Sequence, residues 1–242
     1  MATAILVDGG FYRKRSFSIW GNKTAKDRAD ELMQYCRCHI TDRDVDTRRS
    51  LYRIFYYDCP PIDKNVFNPI TGKNENLGKS DTFKWAQAFF SELVRRRKVA
   101  LRLGRLSDVS TGYRLKYETF KELCARKRGL DSLTISDLQL DVVQKGVDMK
   151  LGLDILDLAH KKLVSQIILI SGDSDFVPAA KMARREGLDF ILDPMGGKVS
   201  EDLIEHIDGM MSHWRDKRLS GENEAMQKPS AMDPSRSKKP KT

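Results

Sequence analysis

The segment that decides the fold is Ile167-Ile168-Leu169-Ile170-Ser171-Gly172-Asp173-Ser174-Asp175-Phe176. Its four apolar residues, most of them β-branched, are typical of a strand buried on both faces of a parallel sheet. The run ends in Ser-Gly and two carboxylates, and open α/β sheets place their sites beyond the carboxyl ends of their strands. The segment therefore predicts a central strand with a site directly after it.

A second segment of the same kind begins the chain, where Ala4-Ile5-Leu6-Val7 runs into Asp8-Gly9-Gly10. Hydrophobic spacing predicts further strands at 51–57, 99–106 and 188–192. It predicts helices at 27–40, 81–97 (capped by Asp81), 119–128, 145–162, 177–186 and 200–213. Residues 60–80, rich in Pro, Asn and Gly, are predicted to form a long loop. Strands that alternate with helices indicate a mainly parallel sheet with right-handed crossovers.

The composition describes a basic globular protein. The chain has 242 residues, 43 Lys and Arg against 34 Asp and Glu, and a formal net charge of +9, which favours a polyanionic partner such as nucleic acid. One folded domain is expected over residues 1–213, and the Lys-, Ser- and Pro-rich residues 216–242 are expected to form a disordered basic tail.

The sequence also predicts the setting of the protein. No signal peptide and no apolar run of about 18 residues is present, so we expect a cytoplasmic protein without a membrane span. The four cysteines, Cys36, Cys38, Cys59 and Cys124, lack the two paired knuckles of a structural zinc site. They are therefore predicted to be reduced thiols.

Four aspartates are expected at one edge of the sheet. Asp8 and Asp173 follow strands, Asp175 follows closely, and a helix that starts at Asp148 can direct its first residue to the same crevice. Each of them alone is more typical of a helix cap or a turn. Together they favour a divalent cation, because clustered carboxylates repel one another, and oxygen ligands select Mg²⁺ or Mn²⁺ over zinc. Asp154 lies about 240° around the helix from Asp148 and is not expected to face the same ion.

These motifs carry a family resemblance. Val7-Asp8-Gly9-Gly10, Lys145-Gly146-Val147-Asp148 and Ser171–Phe176 together resemble the NYN domains of the PIN-like nuclease superfamily, over about residues 3–213. The segment Tyr56-Tyr57-Asp58-Cys59-Pro60-Pro61 resembles the bacterial branch of that family. The resemblance implies a PIN-like, Rossmann-like three-layer α/β sandwich with a mainly parallel central sheet. Many NYN domains have Asn in an Asp-Gly-x-Asn pattern, where this chain has Phe11.

The resemblance also implies an activity, namely a metal-dependent phosphodiesterase that cleaves RNA, with single-stranded RNA as the expected form. Asp8, Asp148 and Asp173 would hold Mg²⁺ or Mn²⁺, and Asp175 would assist catalysis. The residues expected to contact substrate are Arg13, Lys14, Arg15, Lys145 and Ser171. For Ser171 two other roles stay open: orienting a ligand or the attacking water, or only forming a hydrogen bond at the end of its strand. Whether DNA also serves as substrate, and whether the protein is a homo-oligomer, stays open.

Other enzyme classes lack their defining residues. A dehalogenase-type phosphatase needs a second Asp at position 10, where this chain has Gly10. The P-loop, the dinucleotide-binding glycines and the serine-hydrolase elbow are absent from the sequence. The alternative of a different kind is a catalytically silent nucleic-acid-binding or regulatory module, and metal-dependent stabilisation would distinguish the two.

Overall fold

The chain alternates strands and helices, as the sequence predicts. The computed structural model describes residues 2–41, 49–106, 111–142, 144–216 and 219, and most of the predicted basic tail, 216–242, lies outside these residues. Within them the strands are β1 (Ala2–Asp8), β2 (Ser50–Asp58), β3 (Asn65–Asn68), β4 (Lys73–Asn76), β5 (Val99–Leu103), β6 (Arg105–Leu106), β7 (Gly112–Leu115), β8 (Leu138–Asp141), β9 (Gln144–Lys145), β10 (Gln166–Ile170), β11 (Asp189–Asp193) and β12 (Gly209–Met210). The helices are α1 (Gly9–Trp20), α2 (Ala25–Ile40), α3 (Asp81–Arg95), α4 (Tyr117–Cys124), α5 (Val147–His160), α6 (Val177–Arg185) and α7 (Glu201–Ile204).

The central sheet has six parallel strands in the order β12-β11-β10-β1-β2-β5. The chain moves outward from β1 to β2 and β5, and later returns to build β10, β11 and β12 on the other side of β1. The direction of winding therefore reverses between β1 and β10, and such a reversal opens a crevice at the carboxyl ends of the strands. Val7 pairs with Ile170, so Asp8 and Ser171 leave the sheet side by side.

Helices cover both faces of this sheet. On β1, the side chains of Ala4 and Leu6 pack in the layer of α5 and α6, whereas those of Ile5 and Val7 pack in the layer of α1, α2 and α3. All four are completely buried. Full burial of an aliphatic side chain stabilises a fold by about 1.5–3 kcal/mol, so the apolar runs determine where the strands form. The predicted three-layer α/β sandwich with a mainly parallel sheet is confirmed.

The prediction of an irregular loop over residues 60–80 is wrong. The segment contains an antiparallel hairpin in which β3 pairs with β4. The Asn68 side chain organises the turn, because its Oδ1 accepts hydrogen bonds from the backbone N–H groups of Ile70 (2.9 Å) and Thr71 (3.3 Å). Gly72 then takes a positive φ of 67°, which suits glycine. Four-residue strands are too short to display a clear alternation in the sequence.

Several predicted boundaries also change. Ser80, not Asp81, caps α3, because its Oγ accepts from the N–H of Phe83 at 3.2 Å. The strand predicted over 99–106 is interrupted at Gly104, whose N–H bonds to the Asp58 carbonyl of β2 at 2.8 Å. The helix predicted over 200–213 is limited to α7. After this helix, the Asp208 side chain accepts a hydrogen bond from the N–H of Phe190 at 2.8 Å, and β12 pairs with β11 at the edge of the sheet.

The remaining global predictions concern thiols and membranes. All four cysteines are present as thiols, and three of them are buried. No helix in the described part of the chain is long and apolar enough to cross a membrane.

Candidate metal centre

Asp8 ends β1 and caps α1. Its Oδ1 accepts from the N–H of Phe11 at 3.1 Å, and its Oδ2 accepts from the hydroxyl of Ser171 at 3.1 Å. Burial is the main cause that raises the pKa of Asp8 above its ordinary value, and the nearby charge of Asp173 raises it further. The two hydrogen bonds hold this carboxylate in one orientation at the reversal point of the sheet.

Gly9 determines where α1 begins. A Cβ atom at this position would lie 2.5 Å from the carbonyl oxygen of Tyr57 and 2.6 Å from Oδ2 of Asp58. These separations are too short for non-bonded atoms, so only glycine lets the first turn of α1 lie this close to the end of β2. The close approach fixes the start of α1 and therefore the cap that Asp8 provides.

A chain of hydrogen bonds joins Asp8 to the segment after β10. Besides donating to Asp8, the Ser171 hydroxyl accepts from the N–H of Asp173 at 3.3 Å, and Oδ1 of Asp173 accepts from the N–H of Asp175 at 3.0 Å. Asp173 and Asp175 are exposed, whereas Ser171 is completely buried. The structure therefore places Ser171 behind Asp8, as a positioning residue, and not on a surface that a substrate reaches.

Asp148 is the second residue of α5. Gly146, with a positive φ of 79°, occupies the N-cap position of the helix. Asp148 is therefore not the cap of α5, although a helix cap is the role that this residue, considered alone, would predict. Its carboxylate is exposed. Desolvation raises the pKa of Asp148, and the charges of Asp8, Asp173 and Asp175 raise it further. The four predicted aspartates thus occupy one electrostatic neighbourhood.

The carboxylates of the site suit a hard cation that keeps several of its waters. Within the described residues, Asp8, Asp148 and Asp173 do not bring their ligand oxygens all within 4.8 Å of one another. Mg²⁺ usually binds one or two carboxylates and keeps several waters, which fits this wider spacing. Direct ligation of one ion by all three would require the exposed side chains of Asp148 and Asp173 to move inward.

A different group in the described residues meets that distance: Asp202, Glu205 and His206. It lies in and just after α7 and includes none of the predicted ligands. Asp202 and Glu205 are exposed, and acidic groups on a protein surface are common without a metal.

The predicted substrate-contacting cations have different surroundings. Arg13 bonds to Asp58 (Nη2 to Oδ1, 2.9 Å), and its Nε donates to the Gly9 carbonyl at 3.4 Å. Arg15 donates to the Met195 carbonyl at 2.7 Å. The two lysines, Lys14 and Lys145, are exposed. Arg13 and Arg15 are therefore held by the protein, whereas the two lysines project into solvent.

Asp58 is a functional candidate that the sequence reasoning missed. It ends β2 as Asp8 ends β1, which is the signal that would have found it. Burial raises its pKa, whereas the Arg13 guanidinium lowers it. The Asp58 side chain is completely buried and also accepts from the N–H of Cys59 at 2.8 Å. Its role in the geometry is to hold Arg13 beside the start of α1.

Asp154 lies on another face of α5. It accepts from the hydroxyl of Tyr57 and from Nε of Arg102, both at 2.9 Å. These partners belong to β2 and β5, so Asp154 ties α5 to the sheet. The arrangement agrees with the expectation that Asp154 does not share an ion with Asp148.

A buried network supports the neighbouring loop. Asp193 ends β11 and accepts from the hydroxyl of Tyr35 at 2.5 Å, from Nε2 of His39 at 2.7 Å and from the N–H of Met195 at 2.7 Å. Although burial raises the pKa of Asp193, the bonds from His39 and its other partners lower it below the ordinary value. The network fixes Met195, whose carbonyl receives Arg15 of α1.

These features define a class: a three-layer α/β domain with carboxylates gathered at the reversal point of a parallel sheet. The family model for the NYN domain matches residues 88–212, which is 125 of the 242 positions, and the chain therefore belongs to the NYN domain family, a family of PIN-like nucleases. The match includes Asp148, Asp173 and Asp175, whereas Asp8 lies before it. Membership indicates a nuclease-like domain that acts on nucleic acid.

A solved structure of a protein of unknown function from Vibrio parahaemolyticus RIMD 2210633 is similar, with a TM-score of 0.45 and 15% identity, and the alignment covers 87% of this chain and 91% of that chain. No curated protein matches the sequence.

Proposed function

We propose that this protein is a ribonuclease that hydrolyses phosphodiester bonds in single-stranded RNA with Mg²⁺ or Mn²⁺. Asp8, Asp148 and Asp173 would hold the ion, and Asp175 would assist. The observation that carries the proposal is the chain of hydrogen bonds from Asp8 through Ser171 to Asp173 at the reversal point, with Asp148 within electrostatic reach. The family membership supports the same reaction class.

In the proposed reaction, the ion and the protein side chains would have different roles. A bound divalent ion would supply an activated water and stabilise charge on the phosphate. Asp8, fixed by two hydrogen bonds, provides a ligand that needs no reorganisation before the reaction. Asp175, which is exposed, would orient the attacking water or accept its proton.

The cations around the site would bind the RNA backbone. Lys14 and Lys145 are exposed and are the predicted phosphate contacts, while Arg13 and Arg15 hold the segments that carry the site. Contacts of this kind give affinity that falls with salt and carries no sequence information. We therefore expect binding to weaken steeply as the salt concentration rises.

The test is cleavage of end-labelled single-stranded RNA and of DNA of the same sequence, with Mn²⁺ or Mg²⁺ and with EDTA. Asp173→Asn removes one predicted ligand. Since loss of a mere partner of a metal ligand costs 10- to 100-fold, we expect this change to lower kcat by at least about 100-fold. Asp157→Asn is the matched control, because Asp157 is an exposed residue of α5 that pairs with Lys161. Equal cleavage by Asp173→Asn and wild type would refute the assignment, and the product lengths would separate endonuclease from exonuclease action.

A silent nucleic-acid-binding module is the second candidate, and one observation favours it. Phe11 stands where many NYN domains have Asn, and its ring packs so close to Gly172 that a Cβ there would lie 3.0 Å from the ring. An apolar ring cannot position a water or a phosphate. Tight RNA binding by a folded, metal-loaded protein that cleaves neither substrate would support this candidate.

A further inference from the structure

An apolar cavity of about 340 Å³ lies at the carboxyl ends of β2 and β5. Its wall is formed mainly by half-buried apolar side chains, among them Pro60, Pro61, Ile62, Leu77, Phe83 and Leu106. Pockets that bind small organic groups have volumes of roughly 300–1,000 Å³ and predominantly apolar walls with a few polar groups. Its polar lining includes Arg13, Ser80, Thr82 and Gln144.

The cavity is adjacent to the candidate metal centre. Cys59 lines it, follows Asp58 directly, and donates from its thiol to the Arg105 carbonyl at 3.6 Å. A Cβ at Gly104 would lie 3.1 Å from Sγ of Cys59 and 2.7 Å from Cγ2 of Val147, the residue before Asp148. On the other side, Arg13 reaches from the cavity wall to the carbonyl of Gly9, which follows Asp8.

Two exposed cations lie in the ribbon beside the cavity. The ribbon of β6 and β9 contributes Leu106 and Gln144 to the wall, and the adjacent pair of the same ribbon, Arg105 and Lys145, is in register on its outer face. Both cations are exposed, and neither forms a salt bridge with another residue of the described ranges. Positive charge beside an apolar cavity matches the chemistry of a nucleotide, which joins a phosphate to a flat apolar ring with a polar edge.

We propose that this cavity binds the base of a nucleotide next to the cleaved linkage, while Arg105 and Lys145, on the outer face of the neighbouring ribbon, contact the RNA backbone beyond it. The inference rests on the proposed nuclease function and extends it to a base-binding subsite. Phe83 and the two prolines would cover the faces of the base, and Thr82 and Gln144 would meet its polar edge. Stacking against an aromatic ring tolerates every base, so any preference would come from that edge.

Two substitutions fill the cavity, and each has a matched control. Ile62→Trp enlarges a side chain of the wall, and its control is Ile70→Trp, in the exposed hairpin of the same segment. Ala86→Leu enlarges a buried side chain of α3 that lines the cavity, and its control is Ala88→Leu, at an exposed position of the same helix. Affinity for a short single-stranded RNA would be measured in the Asp173→Asn background. The RNA would be compared with versions that carry one abasic nucleotide at each position in turn.

We expect one abasic position to weaken binding by roughly 10-fold or more, the range given by base–aromatic stacking. The filled variants should bind intact RNA as weakly as the abasic RNA, and the controls should stay within about twofold of the parent. Melting curves identify a variant that fails to fold, in which case the other pair decides.

The outcomes separate this inference from the nuclease proposal. The base-binding subsite is overturned if every abasic RNA binds as tightly as the intact RNA, or if the filled variants bind like their controls, even when cleavage is observed. Base-dependent binding that the filled variants abolish would support the subsite even if no RNA is cleaved.

Discussion

Replacing Ser171 with Ala tests the hydrogen-bond chain most directly. The hydroxyl donates to the carboxylate of Asp8 and accepts from the N–H of Asp173, and Ser171 is completely buried. A hydrogen bond to a charged group contributes about 1.5–3 kcal/mol, and a neutral one about 0.5–1.5 kcal/mol. Since Asp8 is only partly buried, water can replace part of the lost bonding, and we expect Ser171→Ala to lower the free energy of unfolding by about 1.5–3 kcal/mol.

The same change should weaken metal binding. Partners that orient a metal ligand typically contribute 10- to 100-fold in affinity, and Ser171 is such a partner under the proposed assignment of Asp8 as a ligand. At a fixed, near-saturating Mn²⁺ concentration this loss removes about 1.4–2.8 kcal/mol of ligand-linked stabilisation. For a chain of this length, 1 kcal/mol shifts Tm by about 2–4 °C, so the Mn²⁺-dependent rise in Tm should shrink by roughly 3–11 °C.

The assay is thermal unfolding with and without Mn²⁺, together with calorimetric titration of the metal. Ser165→Ala is the matched control, because Ser165 precedes the same strand at its opposite end and its exposed hydroxyl bonds only weakly to the Ala2 carbonyl, at 3.4 Å. If Ser171→Ala changes Tm and the Mn²⁺ response no more than Ser165→Ala does, the reasoning that Ser171 positions Asp8 is wrong.

Two further predictions follow from the same region. Gly9→Ala should lower the free energy of unfolding by about 1–3 kcal/mol in a denaturant titration, because the added Cβ meets the Tyr57 carbonyl at 2.5 Å, whereas Gly10→Ala, whose Cβ would meet its nearest atom at 3.5 Å, should be neutral or slightly stabilising. For metal-free protein, the raised pKa of Asp148 means that the unfolded chain releases this proton at a lower pH than the folded protein does. The contribution of Asp148 to stability therefore falls as the pH rises from 3.8 through the raised pKa. Across that window Asp148→Asn should become more stable relative to wild type. The gain should be at most about 1 kcal/mol, because the residue is exposed and water screens its charge. A gap in urea stability between the two proteins that stays constant from pH 4 to 7 would contradict this sign.

The sheet could be predicted because its strands are apolar over their whole length. Segments such as Ala4–Val7 and Ile167–Ile170 are buried on both faces, so burial dictates the strand without help from distant partners. The meeting of Asp8 and Asp173 followed from the common direction of parallel strands. It required only that β1 and β10 be neighbours, which their register confirms.

Other features depend on contacts that a linear pattern does not contain. The hairpin in residues 60–80 is stabilised by the side chain of Asn68, and β12 forms because an open sheet edge accepts Gly209 and Met210. Asp58 escaped notice because it follows an aromatic strand with no glycine turn. Its importance comes from Arg13, which approaches it from 45 residues away in sequence.

The carboxylates of the candidate centre lower the stability of the fold while hydrogen bonds keep Asp8 ionised, and this conflict is an argument for a bound cation. Burial and mutual repulsion raise the pKa of both Asp8 and Asp148, so the ionised cluster destabilises the metal-free fold. Yet the hydrogen bonds from the Ser171 hydroxyl and from the Phe11 N–H at the start of α1 favour the ionised form of Asp8 and hold it in one orientation. A fold that needed only stability would replace these carboxylates with amides. Local conflicts of this kind concentrate at functional sites, and the proposed divalent ion would remove this one by neutralising the charge that the hydrogen bonds maintain.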